Sequence, residues 1–342
     1  MPLIPAQTLT DFSERLLAAA GTPAPAARRV AQALVESNLV GHDSHGVLRL
    51  PQYVQAIQAG TLNPAGALTV VRETPATALV DCGWTLGHLA CPQAMQLALD
   101  KAAVCGIGTV VLRHCDHTGR IGAYAVLAAQ QGYIGQMICN GSDPGGLVAP
   151  YGGAARALGA NPIAWAIPNG TPQPVFLDYA TSIVAHGKLQ VAADKGEQVP
   201  EGWIIDKHGT PTRDPQDQFD GGAILPFGGH KGYALSVMIE ALGGGLSGVG
   251  FPIQPGYRWD QGSVITAIQV EAFQPLAEFE RQVADLGARL KASPRAAGVD
   301  EILLPGELEW RCRAQRAQDG VPLPPGTWDK LLALGRSLNV AA

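Results

Sequence analysis

A literal Gly-x-Gly-x-x-Gly (Gly243, Gly245, Gly248) closes the stretch "GGHKGYALSVMIEALGGGLSG", Gly228 to Gly248, and its setting determines the architecture to expect. In a doubly wound dinucleotide fold this fingerprint follows a strand and opens a helix, so that a pyrophosphate meets the helix N-terminus. Here the glycines follow a strongly apolar helical run and precede a loop, so the match is a decoy and does not license a doubly wound sheet. The front of the stretch carries a different signal. Gly228 and Gly229 precede His230 and Lys231 at a helix start, where free amides and a lysine favour an anion such as a carboxylate or pyrophosphate. It is no P-loop, because the spacing and the Ser or Thr after Lys are missing.

The chain has 342 residues, 46% hydrophobic and 15% charged, with a formal net charge of -5. That length exceeds the size over which one compact core keeps growing, so two packed regions are expected. The composition excludes a disordered chain, and the acidic balance argues against a nucleic-acid or anionic-membrane surface. Cys82, Cys91, Cys105, Cys115, Cys139 and Cys312 form no Cys-x-x-Cys pair and read as thiols of a reducing compartment. The opening "MPLIPAQTLTDFSERLL" lacks a basic segment followed by an apolar one, and no apolar run approaches a membrane span. A cytoplasmic protein is expected.

The first 60 or so residues read as helices. Asp11 and Glu14 have capping-box spacing, Thr22 and Pro23 read as a cap followed by proline at the first helical position, and Gly21 and Gly41 are stops. Val47, Leu50, Val54 and Ile57 recur at helical spacing, with Pro51 in a first turn or at a kink. After "TLNPAG" the pattern turns to β runs, "LTVVRET" and "TALVDCG", then a helix "LACPQAMQLALDKAAVCG" and a strand "IGTVVLRH". "IGAYAVLAAQQG" reads as a helix, "YIGQMIC", "NPIAWAIP" and "PVFLDYA" as strands, and "VPEGWIIDKHGTPTRDP" as a loop-rich section. "SVITAIQV" and "LAEFERQVADLGARLK" add a strand and a helix, and a short last helix is capped near Thr327. The middle is thus an α/β region that opens by a hairpin and mixes strand directions.

Two segments concentrate chemistry, "GHDSHGVLRLPQY" (Gly41 to Tyr53) and "RHCDHTGRIG" (Arg113 to Gly122). His42 with His45, and His114 with His117, have His-x-x-His spacing and read as ligands for zinc or another divalent ion, hence a metal hydrolase or lyase. Against this, neither pair carries the Glu of a protease helix and no Cys pair accompanies them. In the competing reading His45, Arg49 and Tyr53, four apart, share one face of a continuous helix, and the arginine fork grips the carboxylate of a small organic acid. The plain alternative is a solvated face. His117 lies after a β run and before a helix, where a histidine can give and take a proton. Asp178, ending the strand "VFLD", is placed to orient an imidazole or bind a ribose hydroxyl.

Taken in order, "GHDSHGVLRLPQY", "HTGRIG", "GANPIAWAIP", "LDYATS", "GGHKGYAL" and "LLPGELE" resemble the malate/L-lactate dehydrogenase type-2 family, over nearly the whole chain from about Leu9, and most of all its hydroxycarboxylate dehydrogenases. The resemblance implies an α/β (α+β) fold with a non-Rossmann, largely antiparallel cofactor-binding sheet domain at 71-289, and a helical domain from residues 1-70 and 290-342. It implies an oxidoreductase using NAD or NADP, usually a homodimer, that interconverts a 2-oxo and a 2-hydroxy acid. A cyclic imino-acid reductase is the alternative within the family. It implies His117 as proton donor and acceptor, with His45 supported by Asp178 as the rival, and Ser44, Arg49 and Tyr53 as substrate contacts. Cofactor contacts are implied for His45, Gly119, Arg120, Ile121, Phe176, Leu177, Asp178, Tyr179, Ala180, His230, Lys231, Gly306, Glu307, Leu308 and Glu309, with no metal. Two departures stand out: Gly159-Ala160-Asn161-Pro162 replaces the family's Gly-Thr-Asn-Pro, removing a hydroxyl, and the segment from Gly250 to Ser263 looks short.

Overall fold

The computed structural model describes the chain from Met1 to Ala342, the side chain of Asp194 apart. Helices α1 (Ala6–Ala19) and α2 (Ala24–Leu39) open it, each with a proline at the cap, Pro5 and Pro23. The capping box expected at Asp11 and Glu14 is not formed. Proline's preset φ starts α1 earlier, which leaves both acids inside the helix, where they pair with Arg28 of α2 at 2.7 Å each. Thr22 does not cap α2 either, since Pro23 takes that position and the buried hydroxyl has no partner. Two single 3-10 turns, Asp43–His45 and Val47–Arg49, lead into α3 (Leu50–Gln58), with Pro51 in its first turn. Leu9, Phe12, Leu16, Val30, Leu34, Leu50 and Tyr53 pack with Val321, Leu323 and Leu331 from the chain's far end in one core. The helical layer therefore comes from both ends of the chain.

The sheet opens with the hairpin β1 (Thr69–Glu73) and β2 (Thr77–Asp81), followed by α4 (Gly87–Cys105), β3 (Ile107–Arg113) and α5 (Gly122–Ala129). β4 (Tyr133–Cys139), β5 (Ile163–Ile167) and β6 (Val175–Tyr179) continue it, and β7 (Ser263–Gln269) inserts between β3 and β4. The seven strands run in the order β1-β2-β3-β7-β4-β5-β6. β2 and β3 are parallel, as their helical crossover through α4 allows, and the other pairs are antiparallel. The sheet is thus mixed and mostly antiparallel, with the expected α/β, non-Rossmann character. Its core joins Val110, Leu112, Met137 and Ile265 to Ala94, Met95 and Ala98 of α4.

Inside the span 71-289 the structure also builds a smaller packing unit. α6 (His186–Lys195) and the short strands Ile204–Ile205, Pro211–Thr212 and Ala223–Ile224 enclose Val148, Val184, Leu189 and Val199. The stretch read as loop-rich contributes two of those strands. Beyond it α7 (His230–Glu240) runs into a π-helical turn, Ala241–Gly245. The helices α8 (Leu276–Lys291), α9 (Glu307–Asp319) and α10 (Pro325–Ser337) complete the chain. Thr327 sits inside the first turn of α10, and Pro324 holds the cap position. Among the described residues no helix is long and apolar enough to cross a membrane.

The decoy glycines have a packing role. A Cβ on Gly244 would lie 2.3 Å from the Gly250 carbonyl and 2.6 Å from Asn140 Nδ2, whereas one on Gly245 would meet nothing closer than 3.7 Å. The π turn thus lies against the ends of the central strands. Glu240, just before it, accepts hydrogen bonds from Asn140 Nδ2 (2.9 Å), Asn161 Nδ2 (3.0 Å) and the Gly159 amide (2.9 Å). Gly244→Ala is expected to cost about 1–3 kcal/mol, as overpacking does, and Gly245→Ala to stay within roughly 0.5 kcal/mol. Urea unfolding of the two variants checks this, and equal losses would remove the close-approach explanation.

Candidate active site

Between the helical layer, the sheet and the small unit lies a cleft of about 1780 Å³. Ser44, His45, Arg49, Tyr53, His117, Gly119, Arg120, Ile121, Asp178, Tyr179 and Ala180 all line it. Tyr53 reaches it from α3 and meets His117 of the loop after β3, hydroxyl to Nδ1 at 2.6 Å. The rings of His45 and His117 stack at 5.6 Å between centroids and 10° between planes. Ser44 Oγ lies 2.9 Å from His45 Nδ1.

The continuous helix expected to carry His45, Arg49 and Tyr53 on one face is broken. Gly46 is extended (φ -90, ψ -155) and separates two single turns. The cause is Asn38, which fills the space beside Gly46: a Cβ there would lie 2.2 Å from its Oδ1. Asn38 Oδ1 accepts from the Val47 amide at 2.9 Å and its Nδ2 donates to Asp43 at 2.7 Å. Arg316 of α9 then fastens Asp43, with its Nη1 2.7 Å away. Tyr53 is fully buried against His117, so its hydroxyl acts on the imidazole. Arg49 is oriented by the Ser44 carbonyl (Nε, 2.8 Å) and Gln52 Oε1 (Nη1, 3.1 Å).

The two His-x-x-His pairs do not act as pairs. His42 lies 3.3 Å from Glu309, and His114 bonds Asp81 at 2.8 Å while stacking on Trp84. His45 and His117 therefore meet without their sequence neighbours. Among the described residues no group of three or more His, Cys, Asp or Glu side chains is arranged to hold a metal ion. Asp178 does not support His45: its Oδ2 accepts from the Gly122 amide at 2.7 Å, at the first turn of α5. A carboxylate there satisfies an amide that the helix leaves free and meets the positive end of its dipole.

The other proposed cofactor contacts divide. Phe176 is buried, edge-on to Trp310 and under the Arg120 guanidinium, while Leu177 pairs with Trp165 in the sheet. Gly306 packs on Phe176, Glu307 pairs with Lys291 and Leu308 is exposed. Glu309 reaches the cleft through His42. His230 and Lys231 are exposed at the start of α7 and are not among the residues lining the cleft; the His230 ring lies edge-on to Tyr151. Arg120 Nε is buried without a partner. Arg120 itself lines the cleft and, among the described residues, makes no ion pair, so its guanidinium suits an anionic ligand such as a dinucleotide.

Three groups that hold the His117 loop are missing from the sequence reading. Asp260 accepts from the amides of His114 and Cys115, both at 3.0 Å, and Gln261 Oε1 accepts from the Thr118 amide (2.6 Å) and hydroxyl (2.9 Å). They occur as a bare Asp-Gln pair ahead of a strand, with no motif to mark them. His88, at the start of α4, is edge-on to Tyr53 and tilted against His117. Both its ring nitrogens are buried and unpartnered, and it takes the space a Gly119 side chain would need.

Burial sets the protonation states. It holds the His45 ring down to about 3, helped by the Arg49 charge, and His88 down to about 4. Burial and then Arg49 hold His117 well below its ordinary value, and burial raises Tyr53 above the phenol range. At neutral pH the imidazoles are uncharged and Tyr53 keeps its proton. With the phenol donating to Nδ1, the proton of His117 sits on Nε2, facing away from Tyr53.

A dense set of uncharged proton carriers beside an oriented arginine suits proton transfer on a small anion, and this defines an enzyme. The chain belongs to the malate/L-lactate dehydrogenase family, whose profile matches residues 4–332. It is 38% identical to a malate dehydrogenase of Pyrococcus abyssi, over 98% of this chain and 95% of the relative. It is 40% identical to an L-lactate dehydrogenase of Cupriavidus necator, over 97% and 96%. The fold matches the solved sulfolactate dehydrogenase of Methanocaldococcus jannaschii at TM-score 0.88 and 36% identity, over 99% of this chain and 98% of that one. The protein is therefore a dehydrogenase of the malate/lactate type.

Depressed imidazole pKa values make a stability prediction. Between about pH 4 and 6.5 the unfolded chain binds protons that the buried rings refuse, so stability is complete above 6.5 and falls as pH drops, by at most ~1.4 kcal/mol per pH unit for each ring. Urea unfolding at pH 7.5 and pH 5 reads this. His88→Gln is expected to lose less stability than the parent over that interval, and an unchanged pH slope would show that His88 is not held neutral.

Proposed function

We propose that the enzyme interconverts a 2-oxo acid and a 2-hydroxy acid with NAD or NADP. The observation that supports this best is the Tyr53–His117–His45 group beside Arg49, whose guanidinium is oriented by a carbonyl and an amide oxygen and, among the described residues, meets no carboxylate. When bound, the nicotinamide supplies or takes the hydride at the substrate's C2. Arg49 pairs with the substrate carboxylate and so fixes C2 and its oxygen in place.

In the reductive direction, the C2 oxygen gains negative charge as hydride arrives. His117 donates its Nε2 proton to that oxygen while Tyr53, already in contact, passes its own to Nδ1, and the one proton the reduction consumes is taken from solvent to restore Tyr53 before the next turnover. His45, stacked beside it, adds a second neutral donor. We assign Gly119, Ile121, Tyr179 and Ala180 to cofactor contact on their place in the cleft, and Arg120 as its anion partner. Asp178 serves there by fixing the start of α5. The working form we take to be a homodimer, a reading supported by Met238, Leu242 and Leu246, which are four apart and stand exposed along α7 and its π turn.

A panel of 2-oxo acids and cyclic imines, each with both reduced cofactors, tests the reaction class. Turnover confined to imines, or activity abolished by chelation, would sink the proposal. Single-turnover oxidation of reduced cofactor in His117→Ala is expected to slow by about 100-fold or more, and Tyr53→Phe to slow in the same step. If His45→Ala alone loses the step, the proton belongs to His45. Arg49→Lys is expected to raise KM for the acid by roughly tenfold. Sedimentation of Leu242→Lys tests the dimer, with a monomer expected.

A further inference from the structure

We infer that Arg156 reads a second acidic group on the substrate, so that the cleft suits a 2-oxo or 2-hydroxy acid bearing two acidic groups rather than one. This rests on the reading under Proposed function and extends it to the substrate's far end.

Arg156 lines the same cleft as Arg49 but belongs to the small packing unit. Its Nε donates to the Gly222 carbonyl at 2.5 Å and its Nη2 to the Gln218 carbonyl. These neutral acceptors lock the planar fork while leaving its charge unspent, and among the described residues the remaining N–H groups meet no acceptor. Arg49 is held in the same manner, by an amide and a carbonyl oxygen. Among the described residues neither arginine makes an ion pair.

The acids of the cleft do not supply the missing counter-charge. Asp43 is spent on Arg316, Asp178 on the Gly122 amide and Asp116 on the His117 amide. Asp143, the acid whose field reaches Arg156, is exposed and forms no ion pair with it. Two partly desolvated guanidiniums in one cleft, each preset and neither neutralised, are a costly arrangement that an anion at each would repay.

The two arginines also share a neighbourhood. His186, at the start of α6, feels the charge of both, with Arg49 the stronger. The next residue, Gly187, packs against Ser44, where an added Cβ would lie 3.3 Å from the serine Cβ. The α6 end of the small unit therefore closes on the Ser44–Arg49 turn. Both arginines thus line one cleft and both act on His186, and we take the second acidic group of a molecule held at Arg49 to be the one that Arg156 meets. Arg258 also lines the cleft, but it is exposed and no hydrogen bond orients it.

The test compares oxaloacetate with 2-oxobutyrate, which has the same chain length and no second acid. The parent enzyme is expected to favour oxaloacetate by at least 100-fold in kcat/KM. Arg156→Gln should cut that preference at least tenfold, chiefly by raising KM for oxaloacetate, and Arg156→Lys should restore part of it. A parent that favours 2-oxobutyrate, or an Arg156→Gln enzyme that loses both substrates equally or loses cofactor affinity instead, overturns the assignment. So does a preference removed by Arg258→Gln and kept in Arg156→Gln. Turnover of neither acid, with imines reduced, would instead bring down the reaction class itself, and the inference with it.

Discussion

The 2.6 Å contact between Tyr53 and His117 joins two separately packed cores. Tyr53 belongs to the helical layer and is wholly buried there, while His117 hangs from the end of a sheet strand. Each side is anchored on its own terms. Asn38, Asp43 and Arg316 fix the turn ahead of α3, and Asp260 with Gln261 fix the loop after β3. The hydrogen bond spans the two anchored segments, and residues of both line the cleft. The position of His117 is thus fixed by groups in distant parts of the sequence.

Packing His45, His88 and His117 together is affordable only if they stay neutral. Burial depresses the proton affinity of all three, and at His45 and His117 the Arg49 charge adds to it. His88 is the extreme case, since neither ring nitrogen has a partner. A buried unpaired polar group costs on the order of 1–3 kcal/mol, so the site carries strain that the surrounding cores must absorb. Neutral rings still transfer protons when linked in series. The phenol at Nδ1 fixes the tautomer of His117 and leaves the ring's own proton on Nε2.

Much of this architecture was legible in the sequence. Helical spacing marks α3, alternation and β-branched runs mark the strands, and the misplaced glycine fingerprint correctly argues against a doubly wound sheet. What failed were the local signals that tertiary contacts override. Asp11 and Glu14 look like a cap, yet Arg28 from the next helix claims them. His45, Arg49 and Tyr53 look like one helical face, yet the Asn38 side chain forces a break at Gly46. Of the candidate site residues, the sequence could group those in two segments, because nearness along the chain implies nearness in space. Asp260, Gln261 and His88 act across the fold, carry no spacing signature, and are visible only once β7 and α4 flank the His117 loop. The partition of His42 to Glu309 and His114 to Asp81 was equally hidden, since identical spacing conceals which ring faces which neighbour.

The opening glycines show the same division of labour from the other side. Gly243 and Gly244 exist for close approach, and the π turn they form brings Glu240 to the Asn140 and Asn161 amides. Asn161 sits at positive φ (45°), which Asn tolerates better than most residues. Its neighbour Ala160 uses its carbonyl to accept from the Thr181 amide and hydroxyl at 2.9 and 3.0 Å, and it lines the cleft. The side chain at position 160 therefore bears on a cleft wall and is not among the partners of Glu240. The frame that carries the wall and the wall itself are separable, which lets the ligand-facing surface vary without disturbing the strands beneath it.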